Sequence, residues 1–167
     1  MTAKEKFLTA IKCWCVNHNF DITAIKFADD FGYNPIDKEI EWGIWNYHDV
    51  DNYFAQFLHE YGCEWNMPGM AASFLHELGH NQTLSYFTKE EIQLCELTKM
   101  FDHGETDDEW FMEHYWMIPT EFSANMWVIN YVNAHPFALH SLINIMNDFG
   151  PDAWEEIAIE RSHCNDE

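Results

Sequence analysis

Apolar positions change their period several times along the chain, and each change marks an element. Over residues 3–17, Phe7, Leu8, Ile11, Trp14 and Cys15 recur at helical spacing and share one face. Residues 20–28 alternate imperfectly and predict a strand; Asp29-Asp30-Phe31-Gly32-Tyr33-Asn34-Pro35 then has the composition of a turn. The cleanest alternation is KEIEWGIWN at 38–46, with Ile40, Trp42 and Ile44 on one face and Glu39, Glu41, Gly43 and Trp45 on the other. A sheet of two or three strands is therefore expected before the chain turns helical. Residues 49–61 carry the stripe Val50, Tyr53, Phe54, Phe57 and Leu58, with Asp49 or Asp51 as cap and Gly62 as stop. A helix is expected from Gly69 to Leu84, with Met70, Phe74, Leu75 and Leu78 facing inward. Thr88-Lys89-Glu90-Glu91 is a capping box that starts another helix, which ends near Asp102-His103-Gly104. After an acidic loop at 104–109, residues 110–117 predict an aromatic helix, and Pro119 opens one that runs to Asn133. Two further helices are expected at 137–148 and 151–160, divided by Gly150-Pro151, before a polar tail that frays. This order of elements predicts an α+β, mostly helical chain. No repeat or linker interrupts it, so one domain spans 1–167, with its core at 38–133 and C-terminal helices at 137–160.

The 69–84 helix contains Ala71–His80, AASFLHELGH, and within it His76-Glu77-Leu78-Gly79-His80, the pattern HExxH. Residues four apart share a helix face, so His76 and His80 project together. Two neutral imidazoles so placed can grip one Zn²⁺, at about 2.0–2.1 Å each. Glu77 sits one position round from His76, where its carboxylate can take a proton from a metal-bound water without being a ligand. A decoy, His59-Glu60, has Cys63 where the second His would stand and reads as a solvated helix face. Gly79 costs the helix about 1 kcal/mol relative to Ala, which predicts that another backbone or a substrate passes close to it. A catalytic zinc takes three protein ligands and keeps a position open. Glu121, in PTEFSAN, is the best candidate for the third ligand. Asn125 lies one turn further on the same face, placed to hydrogen-bond a ligand imidazole or the carboxylate. Tyr86, His103, His114, Tyr115, Tyr131 and His135 are candidate donors to the oxyanion formed when a carbonyl is attacked. An extended substrate is expected to add to a sheet edge at 39–45.

Composition narrows the setting. Hydrophobic content of 47% and aromatic content of 17% exclude intrinsic disorder and supply a core. Eight basic against 29 acidic residues give a net charge of −21. Such a surface repels phosphate backbones and anionic membranes and favours basic peptides or a basic protein partner. No direct nucleic-acid or membrane partner is expected, although the same acidity fits a nucleic-acid mimic that occupies a basic binding protein. Cys13, Cys15, Cys63, Cys95 and Cys164 are odd in number and match no disulfide framework, so they read as reduced, mostly buried thiols in the cytoplasm. The N-terminal segment lacks the long apolar run of a signal peptide, and no apolar stretch of about 18 residues predicts a membrane span.

HELGH followed downstream by E-x-x-A-N resembles the gluzincin branch of the zincin metallopeptidases, and within it the ImmA/IrrE-type family of small cytoplasmic, often phage-borne metallopeptidases. The likeness is carried by His76, Glu77, His80, Glu121 and Ala124-Asn125, and by the order of elements over 38–133. It implies a minimal zincin-like fold, with a small twisted sheet packed against the HExxH helix, and peptide-bond hydrolysis. The expectation is thus a cytoplasmic zinc metallopeptidase acting on a peptide or protein. In it His76, His80 and Glu121 hold Zn²⁺, Asn125 supports them, and Glu77 is the general base. The alternative is a non-catalytic acidic binding protein, a nucleic-acid mimic or phage-type inhibitor, on a zincin scaffold.

Overall fold

The structure is a computed structural model and describes residues 1–44, 48–101 and 114–165. In chain order the elements are α1 (Ala3–Asn17), β1 (Ala24–Ala28), β2 (Gly32–Asn34), β3 (Glu39–Gly43), α2 (His48–Glu60), α3 (Gly69–Thr83), α4 (Lys89–Phe101), α5 (Pro119–Ala134) and α6 (Pro136–Cys164). Single 3₁₀ turns lie at Leu84–Tyr86 and Tyr115–Met117. The chain is α+β and mostly helical, as its periodicity predicts. The acidic loop at 104–109, most of the helix expected at 110–117, His103, and Trp45 at the end of the best-predicted strand lie outside the described residues.

The strands form one mixed sheet in the order β1-β3-β2. β1 runs parallel to β3, with Ile25 opposite Ile40 and Phe27 opposite Trp42. β2 pairs antiparallel on the other side of β3, with Tyr33 opposite Ile40. β3 is therefore central, and the sheet edge expected at 39–45 is not there: the edges are β1 and β2. β2 itself lies where composition predicted only a turn. Two local features make it a strand. The Asn34 side-chain oxygen accepts from the backbone of Ile36 (3.0 Å) and Asp37 (3.3 Å), which tightens the β2–β3 connection. Gly43 lets the bend before β2 lie against β3, since a Cβ there would sit 2.5 Å from the Phe31 nitrogen.

Trp42, fully buried on β3, joins the sheet to the helices. Its ring lies 4.9 Å from Phe7 of α1, 5.0 Å from Phe74 of α3 and 6.4 Å from Trp154 of α6. Phe74, Leu75 and Leu78 are buried as expected, and Met70 packs partly buried at the rim of the core. The N- and C-terminal helices are tied together by the Trp14 indole, which donates to the Ala138 carbonyl (3.0 Å) and the Ser141 hydroxyl (2.9 Å). One core thus draws on both ends of the chain.

Two expectations fail in α6. Gly150-Pro151 does not divide it, and the tail does not fray before Cys164: a single helix runs through Pro151. Proline removes one backbone donor and normally disfavours a helix interior by about 3 kcal/mol. Here Leu142, Met146, Gly150, Ala153 and Ile157 are buried on both sides of it, and this continuous face holds the helix together. At the start of α2, Asp51 lies inside the helix rather than at its cap, and its carboxylate accepts from the Ser73 hydroxyl of α3 at 2.6 Å. The Thr88–Glu91 capping box is formed in both directions, at 2.7 and 3.1 Å.

Candidate metal centre

The site is made where α3 crosses α5. α3 is buried along the whole of Ala71–His80, so its polar residues face protein rather than water. Gly79 sets the closeness of the crossing: a Cβ there would lie 2.6 Å from the carbonyl oxygen and 2.9 Å from the Cα of Ala124. The neighbouring backbone that the unfavourable glycine predicts is therefore that of α5. Pro119 starts α5, its fixed φ suiting a first turn, and Glu121 lies in that turn. Because Gly79 adjoins His80 and Ala124 is about one turn from Glu121, the contact brings the carboxylate onto the histidines.

His76 Nε2 lies 2.6 Å from Glu121 Oε2, and His80 Nε2 lies 3.1 Å from the same oxygen. One donor atom from each of the three residues falls within 4.8 Å of the others, and all three residues are buried. Asn125 fixes the tautomer of His76. Its amide nitrogen donates to the Trp116 carbonyl (3.2 Å), which turns its oxygen toward His76 Nδ1 at 2.7 Å. Nδ1–H therefore donates to Asn125, and the Nε2 lone pair faces Glu121. Phe54 packs edge-on against the His76 ring at 5.2 Å and Trp116 backs Phe54 at 5.1 Å, which holds the ring plane.

A lone pair and a carboxylate oxygen at 2.6 Å are two acceptors, and only a cation between them, a proton or a metal ion, makes the contact favourable. The electrostatics of the contact act in the same sense. Burial opposes charge on His76, but the Glu121 carboxylate outweighs it and raises the imidazole's pKa. Burial likewise opposes charge on Glu121, and the His80 and His76 rings outweigh that and hold it well below the usual carboxylate range. Both shifts are one attraction seen from its two sides. The donor set of two imidazole nitrogens and one carboxylate oxygen fits a borderline divalent ion. His80 Nδ1 is buried and has no hydrogen-bond partner among the described residues. Glu77, 9% exposed, is raised in pKa by burial, which the two histidines only partly offset.

The other expectations divide. His59 and Glu60 are exposed, as the decoy reading requires. Among the candidate oxyanion donors, Tyr86 is 80% exposed. Tyr131 and His135 stack on each other at 4.7 Å, and Tyr131 on Trp127 at 4.8 Å. Tyr131 is ten residues along α5 from Glu121, roughly 15 Å away by helical rise. Tyr115 is nearer the centre. Burial and then the Glu121 charge raise the pKa of its phenol, and its ring centroid lies 5.6 Å from Lys99 Nζ. Lys99 itself escapes sequence reading. From α4, it places Nζ 2.5 Å from Glu121 Oε1, the carboxylate oxygen that the histidines do not use. Among its described ion-pair partners, only Glu96, one helical turn away at 2.9 Å, is local in sequence. Beside His80 an open cleft of about 480 Å³ is bounded by Tyr33 of β2, Asn81, Asp21 and Lys38.

The fold and the site together define a mostly helical α+β protein with a buried His-His-Glu group able to hold a metal ion. Comparison with protein-family models, with curated proteins and with solved structures gives no match.

Proposed function

We propose that the protein is a zinc-dependent metallopeptidase. The observation that carries this reading is the convergence of His76 Nε2, His80 Nε2 and Glu121 Oε2 in one buried group, with Glu77 beside it in the HExxH order. A bound Zn²⁺ would supply Lewis-acid polarisation of a carbonyl and an activated water. Glu77 takes the proton from the attacking water and passes it to the leaving amine; burial raises its pKa, which makes its carboxylate a stronger base. Asn125 keeps the His76 lone pair aimed at the centre. Tyr115, whose phenol feels the Glu121 charge, is the donor we assign to the oxyanion. A peptide in extended form can reach the centre through the cleft beside His80, pairing with the free edge of β2. The charge of −21 favours basic peptides, and five cysteines without a disulfide suit a reducing cytoplasm. Glu77→Gln tests the reading: metal content is retained while peptide hydrolysis falls by roughly 10²–10⁴-fold.

The same net charge favours a second reading, an acidic binding protein that uses the scaffold without catalysis. Under it, Glu77→Gln leaves function intact, and the partner is a basic, nucleic-acid-binding protein held in a salt-sensitive complex.

A further inference from the structure

We propose that Lys99 is a positioning residue of the metal centre, holding one oxygen of Glu121 so that the other alone is presented to the ion. The proposal rests on the metal reading above. A ligand carboxylate can bind through one oxygen or through both, and a second bound oxygen would take up the position that a catalytic site keeps open. In Glu121 the two oxygens face different partners. Oε2 meets both histidines, at 2.6 and 3.1 Å, and Oε1 meets Lys99 Nζ at 2.5 Å.

Lys99 is built for this in a way the other described lysine pairs are not. The acids paired with Lys4, Lys26 and Lys38 are 25–78% exposed, whereas the Glu121 side chain is 3% exposed. The Lys99 side chain is itself only 15% exposed. Its ammonium is shared with Glu96 Oε1 at 2.9 Å and lies over the Tyr115 ring at 5.6 Å. Two carboxylates and an aromatic ring thus fix a head group that on a surface would wander. Lys99 comes from α4, an element that contributes no ligand, and so it links the docking of that helix to the coordination number at the ion.

The test loads Co²⁺ into the full chain and into Lys99→Met and Lys99→Arg and compares their visible spectra at saturation. Wild type and Lys99→Arg are expected to give the intense bands of a four-coordinate ion, and Lys99→Met the several-fold weaker bands of higher coordination, as Glu121 adds its second oxygen. A purely structural lysine would change stability and leave the spectrum alone. If Lys99→Met takes up Co²⁺ with the wild-type spectrum, the positioning role is overturned and the metal site stands. If wild type takes up no Co²⁺, the metal reading falls and this proposal with it. Should Lys99→Met not fold, the Zn²⁺ complex of the wild type decides by its crystal structure. One Glu121 oxygen at about 2.0–2.2 Å from the ion, with the other on Lys99, is the expected result. Both oxygens on the ion, or Lys99 turned away, overturns it.

Discussion

The amide of Asn125 decides which nitrogen of His76 is free. With its NH₂ on the Trp116 carbonyl, only its oxygen can meet His76, and that oxygen takes the Nδ1 proton. Asn125→Leu removes this control in a position that is 1% exposed. It is expected to weaken metal binding by roughly 10–100-fold, measured by competition with a chelator. A pH effect follows from His76 and Glu121. In metal-free protein the imidazole's folded pKa lies above its unfolded value and the carboxylate's lies below. The pair therefore stabilises the fold between the unfolded carboxylate and imidazole values, about 4.3 and 6.5, and fades as pH rises through the raised imidazole pKa. Metal binding needs that proton gone, so the rise in Tm on adding Zn²⁺ should be larger at pH 8 than at pH 6; a smaller rise would contradict it. His76, Glu77 and His80 were legible in the sequence because one helical turn fixes their relation. Glu121 and Asn125 were legible as a pair for the same reason. Lys99 was not, because its contact with Glu121 exists only once α4 has docked on α5.

At the scale of elements, the crossing of α3 and α5 does what neither helix could do alone. Gly79→Ala tests it. Helix propensity favours alanine by about 1 kcal/mol, but the new methyl meets backbone of Ala124 at 2.6 Å, and overpacking of that kind costs about 1–3 kcal/mol. The variant is expected to lose about 1–2 kcal/mol in urea unfolding and to bind metal more weakly as α5 retreats. A gain in stability would show that the helices are free to part. In α6 the balance runs the other way. Pro151→Ala restores a donor inside a helix already held by its packing, and should stabilise by about 1–2 kcal/mol after allowing for the looser unfolded chain. Gly150-Pro151 reads as a break because local preference is all that a dipeptide shows. The continuous buried face around it becomes visible only against α1. β2 was hidden for a related reason: its residues have turn character, and it is β3, together with the room left by Gly43, that makes them a strand. The alternation at 38–46 was the strongest strand signal and proved to be the central strand. A strand's own pattern does not say which neighbours it will have, which is why the expected edge was misplaced.

Across the whole molecule, eight cations face 29 acids, and much of the surface repels itself. The ion pairs at Lys26 and Lys38 lie on exposed groups and contribute little in water. Screening the excess should therefore raise Tm as NaCl is raised from about 0.05 to 1 M, where the Debye length falls to about 3 Å. No described helix is long and apolar enough to cross a membrane. The fold class and most of the elements were legible from periodicity, and the candidate metal ligands from a short motif and one downstream glutamate. That α3 and α5 would meet was foreshadowed by the need for a third ligand, met by Glu121, and by one unfavourable glycine. A metal site at that meeting is tested most directly by an equilibrium titration with Zn²⁺ against a competing chelator, on wild type and on His76→Ala and Glu121→Ala. One Zn²⁺ per chain is expected, with affinity lowered by about 100-fold or more in each variant, beyond the loss expected for a supporting residue. Absence of stoichiometric zinc in the wild type, or binding that both variants leave unchanged, would contradict it.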